Sequence, residues 1–329
     1  MSGRRSHRRT TVLLVWVATL LTVAGITPSA WADAPERLRI GFQKSSLNLI
    51  VLKTRGTLDR RLEPWGVAVT WTEFPAGPQL LEALSVGSVD FGMTGDTPPI
   101  FAQAAGTNLV YVGNEPPKPD ASAIVVKESA PIRSLADLRG KKVAFTKGSS
   151  AHFLVVRALA SADIDYKDIT PVYLTPAEAR AAFETDSVDA WAVWDPYLAA
   201  AEKALALRAL KSGKGLFSNH TFYLANKAYA SEHQEVIGLV FEELSRNEQF
   251  LRENPKEVAR ILAGYTGLDV PTFERVLERR PSFRVSYIES SVTDEQQTIA
   301  DTFQRLNLIP KSIVVKGIVW HPAAVQAAK

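Results

Sequence analysis

The chain has 329 residues, of which 46% are hydrophobic, so it can bury a large core and is long enough for more than one lobe. Residues 1–32 hold four arginines and no acid, which leaves 34 basic and 35 acidic residues, a net charge of −1, in the rest of the chain. That balance gives no support to nucleic-acid or membrane-surface binding. The absence of cysteine excludes disulfides, thiolate metal sites and cysteine nucleophiles.

The first 32 residues have the pattern of a cleaved secretion signal. A basic start is followed by the apolar run Thr11–Ile26 and by the A-x-A site Ala30–Ala32, and no stop-transfer pattern comes after it. Arg8-Arg9 raises the twin-arginine route, for which Thr10–Val12 is a poor match. Because a lipoprotein anchor needs a cysteine at the cleavage site, we predict a soluble periplasmic protein without a lipid anchor.

Strand-like and helix-like runs alternate through most of the mature chain, which predicts parallel sheets covered by helices on both faces. From about Ser231 onward the pattern is mainly helical. The predicted strands are Leu38–Phe42, Val69–Phe74, Val89–Thr94, Val110–Gly113, Lys142–Thr146, Thr170–Leu174 and Ala190–Trp194, and the predicted helices between them are Leu47–Leu62, Gln79–Val86, Pro98–Ala105, Ala151–Ser161, Pro176–Thr185 and Pro196–Leu207.

An internal repeat relates the two halves of this pattern. The stretch "FPAGPQLLEALSVGSVDFGMTGDTPPIFAQAA" aligns without a gap onto "YLTPAEARAAFETDSVDAWAVWDPYLAAAEKA" at an offset of 99 residues, so that Phe74 corresponds to Tyr173 and Asp96 to Asp195. Upstream, "FQKSS" is echoed by "FTKGSS". The repeat favours two lobes of like topology over a chance similarity between two strand–helix units.

A proline-rich stretch, "GNEPPKPDAS" at Gly113–Ser122, is suited to a crossing between the lobes, and a second crossing is expected after Gly215. We therefore predict an α/β protein with two lobes, each a mainly parallel sheet flanked by helices. The predicted division is a signal over 1–32, lobe 1 over 33–121, lobe 2 over 122–216, and a return to lobe 1 with a helical C-terminal portion over 217–329.

The strand-to-helix corners are candidate anion sites. Ligands of open parallel sheets bind at the carboxyl ends of the strands, where helix N-termini offer free N–H groups and partial positive charge. The same small and polar residues are also ordinary helix caps, and both interpretations stay open for any one corner. The corners hold Gln43, Gly77-Pro78-Gln79, Thr94-Gly95-Asp96-Thr97, Gly148-Ser149-Ser150 and Trp194-Asp195.

The two corner aspartates do not suit a bound anion, because like charges repel. We expect Asp96 mainly as a helix cap, whereas Asp195 could cap, pair with a cationic ligand group or pair with a neighbouring arginine. An apolar wall of the site could come from Trp194, Phe74, Met93 and Phe222, for which packing in the core is the alternative.

Enzyme motifs are weak. "GSSAH" places His152 where the second glycine of G-x-S-x-G belongs, so Ser150 is not in a nucleophile elbow. The histidines show no paired metal spacing, and no Walker frame or basic stripe with interleaved aromatics is present. We predict no catalytic residues, no metal and no cofactor.

The motifs "EFPAGPQLLEAL", "TGDTPPIFAQAAG" and "WDPYLAAAE" resemble the aliphatic sulfonate-binding proteins of ABC importers, within the group that includes taurine- and nitrate-binding proteins. The resemblance runs from about Leu38 to at least Trp320. It implies a two-lobed periplasmic-binding-protein fold of type II that closes on a sulfonate. It also implies a monomer that docks transiently on an ABC permease and its ATPase.

The resemblance also implies a set of ligand-binding residues. Asp96 stands where the family pattern has Glu, and Ser150 where it has Asn; both are shorter side chains. The implied residues are Gln43 of "FQKSS", Thr94, Gly95, Asp96 and Thr97 of "TGDTPP", Ser149, Ser150 and His152 of "KGSSAH", Trp194 and Asp195 of "WDPY", and Phe222 of "FYLA".

The favoured hypothesis is a receptor that captures aliphatic sulfonates for sulfur acquisition. One alternative keeps this role with taurine, nitrate, an aromatic sulfonate or a thiamine-pyrimidine precursor as cargo. A second alternative is an exported hydrolase that uses Ser150 and His152.

Overall fold

The protein is described here by a computed structural model over residues 35–322; the predicted secretion signal lies outside the described residues. The strands are β1 Arg37–Phe42, β2 Ala68–Glu73, β3 Phe91–Gly95, β4 Leu109–Glu115, β5 Ser122–Lys127, β6 Lys142–Phe145, β7 Thr170–Tyr173, β8 Ala190–Trp194, β9 Leu207–Ser212 and β10 Thr221–Asn226. The helices are α1 Leu47–Arg55, α2 Thr57–Leu62, α3 Gly77–Ser85, α4 Thr97–Ala104, α5 Ser150–Ala160, α6 Pro176–Glu184, α7 Tyr197–Ala204, α8 Lys227–Glu232, α9 Gln234–Glu253, α10 Pro255–Thr266, α11 Val270–Glu278 and α12 Ser290–Arg305.

The strands form two five-stranded sheets with one topology. Sheet 1 has the order β2-β1-β3-β10-β4 and sheet 2 the order β7-β6-β8-β5-β9. In each sheet the first three strands are parallel, and the fourth in order is antiparallel to both of its neighbours. The predicted α/β fold with two lobes is confirmed.

The antiparallel strand of each sheet follows a crossing of the chain. β5 comes directly after β4 but pairs in sheet 2, and β10 follows β9 but pairs in sheet 1. The crossings are residues 116–121 and 213–220. We call the part built on sheet 1 lobe 1 and the part built on sheet 2, residues 122–212, lobe 2. The predicted boundaries at residues 121 and 216 remain predictions.

The offset of 99 residues has a structural counterpart. Asp90 Oδ2 accepts from the backbone N of Arg39, 2.8 Å away, and Asp189 Oδ2 accepts from the backbone N of Lys142, 2.7 Å away. Each aspartate precedes the third strand in the order of its sheet, β3 or β8, and holds it to the neighbouring second strand, β1 or β6. The environments differ, because Asp90 is buried with the Arg39 guanidinium as a second partner, whereas Asp189 is exposed.

Apolar packing fills each lobe and continues between them. Sheet 2 is packed on one face by α5, including Leu154 and Val155, and on the other by residues that include Phe183. In lobe 1 the helices α3, α4 and α12 enclose a cluster that also contains Phe153 of α5. Phe153 lies 5.7 Å from the ring of Phe303 on α12, so the two lobes share part of one core.

Some predicted element boundaries are wrong. The predicted helix Leu47–Leu62 is two helices, because Gly56 adopts φ +62° between them. The last predicted helix of lobe 2 ends at Ala204, and Leu207 opens β9 instead. β5, β9 and β10 were not predicted as strands. No helix within residues 35–322 is long and apolar enough to cross a membrane.

Candidate functional site

A cleft lies between the lobes at the carboxyl ends of the strands in both sheets, with an empty volume of about 620 Å³ that includes the solvent at its mouth. A ligand pocket of this kind is expected where strand-end loops of two sheets converge. Six of the implied ligand-binding residues line it, together with the corner residue Gly77 and the predicted wall residue Met93; the six are Gln43, Gly95, Ser149, Ser150, Trp194 and Asp195.

On the lobe 1 side, the turn between β1 and α1 is held by its own hydrogen bonds. Gln43 N donates to Ser46 Oγ at 2.9 Å, and Ser46 Oγ in turn lies 3.1 Å from Met93 Sδ. The Gln43 side chain donates from Nε2 to Met93 O at 2.9 Å. Leu47, the first residue of α1, and Met93 then present apolar surface to the cleft.

On the lobe 2 side, the turn between β6 and α5 presents polar groups. Ser149 is the N-cap of α5: its hydroxyl donates to Thr146 O at 2.7 Å and accepts from His152 N at 3.4 Å. Ser150, the first residue of α5, lines the cleft, and its Oγ has no hydrogen-bond partner. The N–H groups in the first turn of an α-helix have no intrahelical acceptor, so this corner offers donors to the cleft.

Gly95 and Ser150 meet where the lobes come together. A Cβ added to Gly95 would lie 2.2 Å from Ser150 Oγ, so only a glycine allows this approach. The predicted glycine is therefore needed for lobe-to-lobe contact, a role independent of any ligand.

Asp195 is already paired within the protein. Its Oδ1 accepts from Ala199 N at 3.0 Å and from Arg279 at 3.1 Å, and the same guanidinium also pairs with Glu202. Burial raises the pKa of Asp195 to about 6, although Arg279 and the Ala199 N–H oppose that shift. Arg279 follows α11, which packs on α10, so this ion pair joins lobe 2 to the C-terminal helices.

Two cationic side chains that line the cleft were not predicted from the sequence. Arg280, which is 6% exposed, donates to Glu115 Oε2 at 2.8 Å and to Thr221 Oγ1 at 3.1 Å. Lys118, in the first crossing, donates from Nζ to Asn219 O at 2.9 Å. Further residues of the lining are polar Ser45, Thr221 and Asn219 and apolar Pro98 and Val276.

Five of the predicted site residues, His152 among them, lie behind this lining. Thr94 and Thr97 are fully buried, and Phe222 packs edge-on against Tyr111 at 5.1 Å in the lobe 1 core. Asp96 occupies the N-cap position of α4 but accepts no hydrogen bond from the helix backbone. The expectation that Asp96 is a cap is therefore wrong.

The Asp96 carboxyl has an unusual environment instead. Thr97 Oγ1 donates to its Oδ1 at 3.0 Å, while Oδ2 is buried without a hydrogen-bond partner. Burial raises the pKa of Asp96, and the nearby Ser150 hydroxyl lowers it in part. The side chain borders a separate cavity that also contains Arg157 and Glu295.

His152 is a fixed part of the lobe 2 corner. Its Nδ1 accepts from Gly148 N at 3.2 Å, so Nε2 carries the proton and donates to Tyr166 Oη at 2.9 Å. Burial lowers the pKa of His152 to about 3, and the ring stacks on Phe145 at 4.9 Å. The neutral imidazole holds the Gly148 turn and makes no hydrogen bond to Ser150, which removes the serine–histidine pair that a hydrolase would need.

Metal binding finds no support in this part of the chain. Among residues 35–322, no group of three or more histidine or acidic side chains is placed to hold a metal ion. The cleft instead combines neutral donors, an apolar side and charged groups. Two like lobes around such a cleft define a solute-binding protein of the two-lobed class.

Comparisons with known proteins agree with this class. A family model described as NMT1/THI5 like matches residues 64–258. The chain is 44% identical over 315 residues to an aliphatic sulfonates-binding protein of Escherichia coli (strain K12), covering 96% of this chain and 98% of the relative. A second aliphatic sulfonates-binding protein, from Bacillus subtilis (strain 168), is 31% identical over 312 residues and 93% of each chain.

Solved structures give the same relationship. The alkanesulfonate-binding protein SsuA from Xanthomonas axonopodis pv. citri bound to MOPS superimposes with a TM-score of 0.84 at 43% identity, over 87% of this chain and 98% of that one. The periplasmic aliphatic sulphonate binding protein SsuA from Escherichia coli gives a TM-score of 0.80 at 46% identity, over 88% and 94%. The chain belongs to the aliphatic sulfonate-binding proteins of the NMT1/THI5-like family. The resemblance read from its motifs is confirmed, and these relatives are binding proteins rather than enzymes.

Proposed function

We propose that this protein captures a short aliphatic sulfonate in the cleft and delivers it to an ABC importer for sulfur acquisition. The observation that carries the proposal is the charge pattern of the lining. Asp195 is paired with Arg279 and Arg280 with Glu115, which leaves Lys118 as a lining cation without a carboxylate partner among the described residues. Such a cleft favours an anionic ligand over a cationic one.

The rest of the lining suits a sulfonate that carries a carbon chain. A sulfonate keeps its charge at working pH and only accepts hydrogen bonds, which the Ser150 hydroxyl and the start of α5 can donate. Leu47, Met93 and Val276 supply apolar contacts for a carbon chain. Bare sulfate or nitrate would leave that apolar surface unused.

Other cargoes have weaker support. Taurine carries an ammonium group, and the carboxylate that could bind it, Asp195, already holds Arg279. A taurine-binding periplasmic protein of Escherichia coli is 27% identical over only 174 residues. Nothing in the lining specifically favours nitrate, an aromatic sulfonate or a thiamine-pyrimidine precursor, and the geometry of His152 speaks against a hydrolase.

We place the protein in the periplasm as a monomer that docks on a permease and its ATPase. Support comes from the family, which includes the periplasmic SsuA of Escherichia coli, and from the signal pattern of residues 1–32. The predicted absence of a lipid anchor belongs to the same proposal and rests on the lack of cysteine.

Calorimetry on the mature protein tests the proposed cargo. We expect ethanesulfonate to bind one-to-one and at least about 100-fold more tightly than sulfate, a difference of about 3 kcal/mol. The buffers must be amines such as Tris, because MOPS is itself a sulfonate and would compete. Equal affinity for sulfate, or no binding of ethanesulfonate and butanesulfonate, would refute the sulfonate assignment.

A further inference from the structure

Lys118 lies where the two crossings meet. Its backbone N donates to Ser218 O at 3.0 Å, and its carbonyl accepts from Asn219 Nδ2 at 3.1 Å. Its Nζ donates to Asn219 O and lines the cleft. The side chain is therefore fixed at the join between the lobes and turned to the ligand space.

The ammonium group of Lys118 is incompletely satisfied. It has three N–H donors, and the structure gives it one acceptor, a neutral carbonyl. No carboxylate oxygen in residues 35–322 lies within 4.0 Å of Nζ. The two nearest acids along the chain have other partners: Asp120 Oδ1 accepts from Ser212 Oγ at 3.1 Å, and Glu115 is paired with Arg280 at 2.8 Å and accepts from Tyr223 Oη at 2.6 Å. A half-buried cation of this kind favours an anion as its partner.

Burial and several charged groups determine the pKa of the Lys118 side chain. Burial lowers the pKa of Lys118 to about 7, and Arg280 lowers it further, against smaller opposing effects of Glu115 and Asp96. The charged or titratable groups around Lys118 are Glu115 at the end of β4, Asp96 before α4, Arg280 after α11, His220 beside Asn219, and Asp120 in the same crossing, whose Oδ1 accepts from Ser212 Oγ.

We propose that Lys118 is the counter-ion of the bound sulfonate and that ligand binding takes up a proton at this side chain. The inference rests on the proposed function and adds to it the residue and the proton. When the ligand enters, the Nζ lone pair of the neutral amine accepts a proton from the buffer, and the resulting ammonium pairs with the sulfonate oxygens. No other bond changes.

The direction of the pH effect follows from linkage. The anion stabilises the charged form, so the pKa of Lys118 is higher in the complex than in the free protein. The protonated form binds the ligand, and affinity is full below the free-protein pKa of about 7 and is lost as pH rises above it. We expect affinity to fall about tenfold between about pH 6 and about pH 8, with uptake of about half a proton per ligand near pH 7.

The experiment is titration calorimetry of ethanesulfonate in amine buffers that differ in ionisation enthalpy, at several pH values. The wild type should show a buffer-dependent heat that corresponds to proton uptake. Lys118→Arg, which keeps the charge without titrating in this range, should bind with no proton uptake and a flat pH profile. Lys118→Met should lose about 100-fold in affinity and show no uptake. Lys214→Met, at an exposed lysine, is the matched control and should behave as the wild type.

Each result decides between the two proposals. Wild-type binding of ethanesulfonate without proton uptake, together with Lys118→Met within threefold of the wild type, would overturn the role of Lys118 and leave the sulfonate assignment intact. A pH slope that persists in Lys118→Arg would assign the proton to another group and would also overturn it. Failure of the wild type to bind any alkanesulfonate would instead refute the proposed function, and the role of Lys118 with it.

Discussion

Two strand-to-helix turns on opposite sides of the cleft share one backbone hydrogen bond but present different surfaces to it. In lobe 1, Ser46 N donates to Gln43 O at 2.8 Å, and in lobe 2, Ser149 N donates to Thr146 O at 3.2 Å. Both serines are the residues before the helix. The next residue differs: Leu47 opens α1, and Ser150 opens α5.

The residue at this one position gives the two halves of the site different surfaces. The Ser46 hydroxyl is used inside lobe 1, where it accepts from Gln43 N and contacts Met93 Sδ, so lobe 1 presents carbon to the cleft. The Ser150 hydroxyl is not used inside lobe 2 and lies at the lobe-to-lobe contact beside Gly95 and the Asp96 carboxyl, so lobe 2 presents polar groups together with the free N–H groups at the start of α5. A repeated fold can thus bind a molecule with a polar head and an apolar tail by changing one residue after a shared turn.

Giving lobe 2 the residue of lobe 1 should have the largest effect. Ser150→Leu removes the donor and places a larger side chain against Gly95, whose added Cβ would already lie 2.2 Å from Ser150 Oγ. We expect ethanesulfonate affinity to fall by more than about 100-fold in calorimetry. Ser150→Ala, which removes only the hydroxyl, should cost about tenfold. Equal losses in the two variants would show that the size of the side chain at this contact does not matter.

The corner aspartates allow a second test, by pH. The pKa of Asp195 is raised to about 6, above that of an unfolded aspartate, so the stability that the carboxyl contributes relative to Asn is present at low pH and is lost as pH rises through 6. We expect the unfolding free energy of the wild type minus that of Asp195→Asn to fall by about 2 kcal/mol between about pH 4.5 and about pH 7. Urea titrations at both pH values measure it.

A control separates this effect from general acid sensitivity. Asp294→Asn, at an exposed position on α12, should show no such change. A difference between wild type and Asp195→Asn that stays constant with pH would mean that the Arg279 pair outweighs burial at Asp195.

The third test compares the strand ties of the two lobes and should give the smallest effects. Asp90→Ala removes the partner of Arg39, whose side chain is 39% exposed and can be partly rehydrated, and it should cost about 2 kcal/mol of unfolding free energy. Asp189→Ala loses one hydrogen bond at an exposed site and should cost about 0.5 kcal/mol. Chemical denaturation of both variants measures the difference, and equal costs would contradict the burial argument.

Much of the fold could be read from local pattern. The repeat offset of 99 residues reappears as α3 and α6. The strand Ala190–Trp194 has the predicted bounds, and the other six predicted strands agree within two residues at each end. β5 and β10 were missed, because each follows a crossing and pairs with strands far away in the chain. Their pairing depends on tertiary contacts, which the hydrophobic periodicity of the local sequence does not reveal.

The site was predicted less completely, for the same reason. Corner residues such as Gln43 and Ser150 lie next to strand ends, so the rule for parallel sheets finds them. Arg280 reaches the cleft only because α11 folds back on lobe 1, and its partner Glu115 is 165 residues away in sequence. Lys118 lies in a proline-rich stretch that indicates a crossing and carries no sign of a ligand role. The family resemblance of "FYLA" implied that Phe222 contacts the ligand, although the inner strand β10 buries it in the core of lobe 1.

The exchange of strands between lobes sets an order for folding along the chain. Lobe 2 is encoded by one continuous segment, since all five strands of sheet 2 lie between Ser122 and Ser212. Sheet 1 has a gap between β3 and β4 that only β10 fills, and β10 begins at Thr221, 106 residues after β4 ends at Glu115. A chain that appears from its N-terminus can therefore complete its second lobe before its first. Until then, two edges of sheet 1 stay open, which is the interval in which a newly synthesised chain is most exposed to aggregation.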